Sequence, residues 1–301
     1  MLAVAFVGAT GTGKSLLSLD AARDFNGHIV NADSMQLYRD MDIGTAKLSH
    51  SARQGIPHHQ IDVIDPSSEA SVARYKLSAQ TCIKHIHALN SIPFLVGGSG
   101  LYVSSVVHNL QFPPTDGRVR KLLEDEADKS GIGVLHDRLL KLHPGFTVSR
   151  GNRRRIIRAL EVAYITGRSP NPVLPLQNRA NNFIVINLIC DKGTLDIRLQ
   201  KRVESFYDNG LIDEVRLLQE KYVLGRTAAK AIGYKQAIMY LAGEISCADA
   251  KDSTLQETIR LANKQIKWFR RYSGQHIVDT TDMSVAYEQI RSILNKSFRI
   301  S

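Results

Sequence analysis

Cysteine is scarce in this chain. Cys82, Cys190 and Cys247 are the only three in 301 residues, odd in number and far apart. Their spacing excludes a disulfide framework and a close-set thiolate metal site, and it fits a reducing compartment such as the cytoplasm. Tryptophan occurs once, as Trp268. No internal repeat and no low-complexity segment is present. No apolar run is long enough to cross a membrane. The N-terminal run Leu2 to Val7 stops at Gly8, and it has neither the basic flank nor the cleavage site of a signal peptide. Acid is short relative to base: Lys+Arg 39 against Asp+Glu 29, a net charge of +10. That excess implies a polyanionic partner (nucleic acid, an anionic membrane surface or a phosphorylated ligand) or merely a basic, solvated surface.

What is present is an ordinary globular composition, 43% hydrophobic and 23% charged, which excludes a disordered tail or a fibrous protein. The length suits about two domains. Residues 2–7 read as a buried parallel strand, followed by a glycine-rich turn and a helix from about Ser15 to Phe25. Further strands are expected at His28 to Asn31, Pro93 to Val96 and Phe183 to Ile189. Strands alternating with helices predict an α/β fold with a parallel sheet, whose site lies at the carboxyl ends of the strands. Two proline-bearing stretches interrupt this pattern, Phe112 to Gly117 and Ser169 to Pro175. The sequence therefore predicts a phosphate-loop core of residues 1–111 and 181–301 with a helical C-terminal region, and a small helical insertion over 112–180.

Gly8-Ala9-Thr10-Gly11-Thr12-Gly13-Lys14-Ser15 matches the phosphate-loop (P-loop) pattern, with an apolar strand before it and a helix after. Backbone N–H groups and the helix N-terminus suit an anion, Lys14 adds a point charge, and the Ser15 hydroxyl suits magnesium. The pattern specifies a diphosphate or triphosphate, not hydrolysis. A hydrolase of this class usually carries an acid at the end of another strand, and here Val96-Gly97-Gly98 has none. Asp33, at the end of the second strand, either holds magnesium or accepts a proton, or simply caps a turn.

With these residues in place, the chain resembles the bacterial tRNA dimethylallyltransferase (tRNA isopentenyltransferase) family. The resemblance spans nearly the whole length. It rests on Gly8–Ser15, Asn31–Tyr38, Met41–Lys47, Pro57–Asp62, Leu95–Tyr102, Arg158–Glu161, Ala231–Lys235 and Lys264–Arg270. The block running from Asp33-Ser34 through Tyr38 to Met41-Asp42-Ile43-Gly44-Thr45-Ala46-Lys47 is the most specific part. The resemblance implies transfer of a dimethylallyl group from its diphosphate to N6 of the adenosine just 3′ of the anticodon in tRNAs reading U-starting codons. The phosphate loop then holds the leaving diphosphate. By the same resemblance Asp33 is the general base, Thr10 lies beside the reacting carbon, and Lys14, the loop amides, Mg2+ at Ser15 and Arg202 stabilise the departing charge. The partners implied are a tRNA anticodon stem-loop and dimethylallyl diphosphate. Neither a membrane nor an obligate protein partner is expected.

The implied tRNA contacts are Asp33, Ser34, Met35 and Gln36; Ser99; Arg120; Arg154, Arg155, Ile156, Ile157 and Arg158; Lys230, Ala231, Ile232, Gly233, Tyr234 and Lys235; and the stretch Asn263 to Arg270 with Lys264, Lys267 and Arg270. No acid lies between Arg150 and Arg158, so that run favours phosphate contact over local ion pairing. Ile266 and Phe269 are expected to face the core. Trp268, Tyr38 and Tyr234 read as packing residues, and His58-His59 as structural hydrogen bonding. The chain departs from the family pattern in having Ser99 for threonine, Lys264 for arginine, which loses a planar fork of donors, and Lys267 for threonine. No paired cysteines follow Cys247, so the zinc finger often found in the eukaryotic form is not expected. Competing readings are a nucleotide or small-molecule kinase, an adenylate isopentenyltransferase, and a non-catalytic RNA-binding module.

Overall fold

The computed structural model describes residues 2–168, 170 and 182–299. Of the second proline-bearing stretch only Pro170 falls among them. The chain divides into two compact units, one of residues 1–109 with 176–301 and one of residues 110–175.

In the larger unit, unbroken apolar runs form the strands that are covered on both faces. Strand β1 (Ala3–Gly8) is buried at every position. Helix α1 (Lys14–Asp24) follows, then β2 (Gly27–Asn31), the two-residue β3 (His58–His59), α2 (Val72–Ala88), β4 (Ile92–Val96) and α3 (Gly100–Val107). The insertion comes next, with α4 (Gly117–Ser130), α5 (Ile132–Leu142) and α6 (Arg153–Thr166). The chain then re-enters the sheet as β5 (Phe183–Ile189) and continues through α7 (Lys192–Asp208), α8 (Leu211–Lys221), α9 (Arg226–Ala229), α10 (Tyr234–Leu241) and α11 (Cys247–Phe269). Strand β6 (His276–Asp279) and α12 (Met283–Arg299) end it.

The six strands lie in the order β3-β2-β4-β1-β5-β6. Every adjacent pair is parallel, with Phe6 opposite Val96 on one side and Ile186 on the other. All carboxyl ends therefore share one edge, and the loops after β1, β2 and β4 meet there. Beneath them Val4, Phe6, Phe94, Ile186 and Val278 pack with Leu17 and Ala21 of α1 and Ile290 and Leu294 of α12. A second cluster joins the segment after β2 to the helical region. It contains Tyr38, Met41, Val203, Phe206, Leu211, Val215 and Ala237.

The smaller unit has its own core of Leu123, Leu135, Leu139, Ile156 and Leu160. Asp116 starts α4 by accepting from the amides of Arg118 (2.7 Å) and Val119 (3.2 Å). Among the described residues, no helix is long and apolar enough to cross a membrane.

Two strands escape the sequence pattern. β3 is too short for an alternation to show, and in β6 only Val278 is buried. Both sit at sheet edges, where one paired neighbour suffices to hold a strand.

Candidate active site

The loop from Gly8 to Ser15 ends in Gly13, which caps α1 in the left-handed conformation (φ 80°) without a side-chain hydrogen bond. Only glycine takes that conformation without strain, so the first amides of α1 are left open to an anion. Within the loop the carbonyl of Ala9 accepts from Lys14 Nζ at 2.6 Å and from Thr12 Oγ1 at 2.8 Å. Burial lowers the Lys14 ammonium pKa to about 7; the negative charge of Asp33 opposes this shift and the positive charge of Arg202 adds to it. An arriving anion would reverse that shift. Ser15 is exposed on the first turn of α1.

Asp33 follows β2 in a braced loop. Its amide donates to Asn31 Oδ1 (2.9 Å), and Asn31 Nδ2 donates to the carbonyls of Asp33 (3.0 Å) and Gln60 (2.9 Å). The buried hydroxyl of Tyr75 donates to the Asn31 carbonyl at 2.8 Å. Asp33 Oδ1 accepts from the Met35 amide at 2.9 Å. One carboxylate oxygen thus caps the turn, as the structural reading of Asp33 expects. Oδ2 makes no hydrogen bond among the described residues and is available to a proton.

Arg202 of α7 reaches the same group of charges. Its Nη2 donates to the Thr45 carbonyl at 3.2 Å, and its guanidinium stands 5.1 Å from the Phe206 ring centre. Burial lowers its pKa, opposed by Asp33. Gln36 Nε2 donates to the same Thr45 carbonyl at 3.1 Å. The Met41–Lys47 block therefore ties Arg202 to the loop that carries Asp33. Ser99 Oγ accepts from the Ser34 amide (3.0 Å) and donates to Ser34 Oγ (3.1 Å), joining the loops after β4 and β2.

The segments with an expected RNA role separate by burial. Lys230, Lys235, Lys264, Lys267 and Arg270 are exposed, Met35 and Ile232 half-buried. Gly233 and Ala231 are buried, and Tyr234 is 1% exposed with its hydroxyl donating to Glu214 Oε1 at 2.5 Å. The side chains of Ala231 and Tyr234 are therefore core, as the packing reading of Tyr234 expects, which leaves their backbone for any RNA contact. Lys235 also pairs with Glu257 at 3.3 Å. Phe269 is fully buried and Ile266 partly so. Trp268 packs against Gly100, where a Cβ would lie 2.6 Å from its ring, and donates from Nε1 to Ser104 Oγ at 3.0 Å.

In the smaller unit Ile156 and Ile157 are likewise core, because α6 turns them into the cluster with Leu123 and Leu139; their side chains cannot meet RNA. The arginine run also pairs more than its local sequence suggests. Arg150 binds Asp137 at 2.8 Å, Arg153 binds Asp128 at 2.8 Å and Arg158 binds Glu161 at 2.9 Å. These acids lie outside the run, on α4, α5 and the next turn of α6. Arg154 and Arg155 are exposed and make no ion pair among the described residues. Arg120 is engaged by Glu161 at 2.8 Å.

The chain has known relatives in sequence and in fold. The IPP transferase family model matches residues 36–272. A tRNA dimethylallyltransferase of Clavibacter sepedonicus is 45% identical over 287 residues, covering 93% of this chain and 94% of its own. One of Streptomyces avermitilis is 46% identical over 276 residues, covering 91% and 88%. The chain belongs to the IPP transferase family. Among solved structures, the full-length tRNA isopentenylpyrophosphate transferase of Bacillus halodurans superposes with a TM-score of 0.72 at 36% identity, covering 99% of this chain and 98% of its own. A eukaryotic dimethylallyltransferase acting on tRNA superposes with a TM-score of 0.84 at 26% identity, covering 99% and 79%.

Asn31, Glu214 and Gln265 in the larger unit, and Glu161 in the smaller one, hold loops or charges in place, a task for which none of them was singled out from the sequence. Asn31 braces the Asp33 loop. Glu214 accepts from the amides of Asp42 (3.1 Å) and Ile43 (2.8 Å) besides Tyr234; burial raises its pKa, and those donors pull it back. Glu161 holds two arginines, and Gln265 reaches the phosphate loop. Each is a polar residue at a buried or half-buried position whose periodicity calls for an apolar one, and that is the signal through which a sequence could reveal them.

Proposed function

We propose that this chain transfers a dimethylallyl group from dimethylallyl diphosphate to N6 of the adenosine immediately 3′ of the anticodon in tRNAs reading U-starting codons, giving N6-isopentenyladenosine. The observation that carries the reading is the pairing of an anion cradle with Asp33, whose second carboxylate oxygen is unengaged and whose charge is felt by both Lys14 and Arg202. The names of the relatives point to the same reaction.

In the reaction the C1–O bond to diphosphate breaks and a C1–N6 bond forms. The adenine amine is a poor nucleophile, so Asp33 takes its proton as the new bond forms. The diphosphate leaves into the cradle, where the amides of Gly11, Thr12, Gly13, Lys14 and Ser15, the Lys14 ammonium and Arg202 receive its charge. Gly8 and Ala9 shape the loop's first turn, and Thr10 stands beside the reacting carbon. The Ser15 hydroxyl is the group that would hold Mg2+, whose charge would help to neutralise the leaving diphosphate. The target base must leave its stack to reach Asp33. On the RNA side we assign Ser34, Met35, Gln36 and Ser99 to the adenine, and Arg120, Arg154, Arg155, Arg158, Lys230, Lys235, Lys264, Lys267 and Arg270 to phosphates. Ile232 and Gly233 contribute backbone.

Single-turnover transfer from radiolabelled dimethylallyl diphosphate tests this, with an unmodified tRNA bearing that adenosine and with AMP as alternative acceptors. Label on the tRNA alone is the expected result. Label on AMP alone, or on neither, would overturn it.

A further inference from the structure

The carbonyl of Ala9 and the N–H of Thr10 belong to one peptide unit. No cis peptide bond occurs among the described residues, so the two groups point in opposite directions. The carbonyl receives Lys14 Nζ at 2.6 Å and Thr12 Oγ1 at 2.8 Å. The N–H donates to Gln265 Oε1 at 2.8 Å. Gln265 comes from α11 and is only 8% exposed. Its own orientation is decided by Nε2, which donates to the Gly98 carbonyl at 3.0 Å. Turning the amide over would set donor against donor at Thr10 and acceptor against acceptor at Gly98, an arrangement no buried group sustains. There is room for the amide because residue 98 is glycine: a Cβ there would lie 2.5 Å from Nε2 and 3.2 Å from the Gly8 carbonyl.

A chain of constraints follows. The Gly98 carbonyl orients the Gln265 amide, the amide orients the Ala9–Thr10 peptide, and the peptide holds its carbonyl on the Lys14 ammonium. We propose that Gln265 is a positioning residue of the transfer reaction, fixing the Ala9–Thr10 peptide so that the loop presents Lys14 to the diphosphate and keeps the Thr10 N–H out of the anion's donor set. This rests on the reading of the loop as a diphosphate site. It gives Gln265 a different task from its exposed neighbours Lys264 and Lys267 on the same helix.

The test compares Gln265→Met, which keeps length but loses both hydrogen bonds, with Gln265→Glu. A protonated glutamic acid can accept from Thr10 and donate to Gly98, as the amide does; the carboxylate cannot donate. Binding of inorganic pyrophosphate with magnesium is measured by calorimetry. Binding of an anticodon stem-loop RNA is measured separately without pyrophosphate, and kcat and KM for tRNA are taken on the full chain. Gln265→Met is expected to weaken pyrophosphate binding about tenfold, as loss of two modest hydrogen bonds implies, and to lower kcat. RNA affinity and KM for tRNA should stay within about twofold of the parent. At about pH 5, where burial and the facing Gly98 carbonyl favour the protonated acid over the carboxylate, Gln265→Glu should bind pyrophosphate within about threefold of the parent while Gln265→Met does not.

Unchanged pyrophosphate binding in Gln265→Met would overturn the proposal. So would equal losses for pyrophosphate and RNA with a lowered Tm, which would mark general disruption, or Gln265→Glu failing as badly as Gln265→Met in acid. If the unaltered chain binds pyrophosphate but prenylates no tRNA, the functional reading fails, and the pyrophosphate comparison still decides the role of Gln265.

Discussion

Lys14 carries a conditional charge. Burial brings its pKa to about 7, so the ammonium that an anion needs is complete below that pH and lost above it. Pyrophosphate affinity should therefore decline as pH rises through about 7. Measured as a ratio to Lys14→Met, the decline is free of the ligand's own titration. A ratio constant from about pH 6 to about pH 9 would show that Lys14 stays charged in the empty cradle.

Asp33 gives a linked prediction. Asp33→Asn keeps an oxygen for the Met35 amide but removes the base, and single-turnover transfer should fall ~10²- to 10⁴-fold. Because Asp33 raises the Lys14 pKa, the same substitution should move the pH limit on pyrophosphate binding downward, so affinities are best compared in mild acid, at about pH 6. Transfer at the parent rate would remove Asp33 as the base. The sequence placed this aspartate but left its task open between capping and catalysis. A carboxylate has two oxygens, and only the fold shows that Oδ1 caps while Oδ2 makes no hydrogen bond among the described residues.

At the scale of elements, the strands that read clearly were those covered on both faces, because continuous burial writes itself as a continuous apolar run. β1, β2, β4 and β5 are of this kind; β3 and β6 are edge strands held mainly by backbone pairing. Helix α6 shows the converse limit. Its arginines read as unpaired because sequence proximity hides acids on neighbouring helices. Glu161 is the centre of that arrangement. Its carboxylate is fully buried and binds Arg120, Arg158 and the Asp116 amide (2.9 Å), while Arg158 also donates to the carbonyls of Pro113 and Pro114.

Burial alone would raise the Glu161 pKa, but these donors bring it below the usual value. A carboxylate depressed in the folded state adds stability above its unfolded pKa, and that stability is lost as pH falls through the folded one. Glu161→Ala should cost about 1–3 kcal/mol, because it removes the acceptor of several charge-assisted hydrogen bonds while leaving two guanidinium groups that solvent partly reaches. The parent, but not the variant, should lose that increment on acidification below about pH 4. Chemical denaturation at about pH 7 and about pH 3 checks both statements, and equal stability of parent and variant at neutral pH would contradict them.

Over the whole molecule, the net charge of +10 could not by itself distinguish a nucleic-acid footprint from a solvated surface, because composition is blind to pairing. The structure sorts the arginines at and just before the start of α6 into two kinds. Arg150 and Arg153 are neutralised locally by Asp137 and Asp128, whereas Arg154 and Arg155 have no acidic partner among the described residues. Cations already paired within the protein release fewer counterions when RNA binds, so the two kinds should differ in salt dependence. Removing one cation from a phosphate should lower the slope of log K against log salt by roughly 0.7 to 0.9. Replacing Arg154 and Arg155 together by glutamine should thus flatten the slope by about 1.4 to 1.8, while the same change at Arg150 and Arg153 should move it much less. Fluorescence anisotropy with a labelled anticodon stem-loop, titrated from about 50 to about 200 mM salt, reads both slopes. An unchanged slope in the Arg154/Arg155 variant would take these two arginines out of the RNA footprint and leave phosphate binding to the other assigned cations, Arg120, Arg158, Lys230, Lys235, Lys264, Lys267 and Arg270.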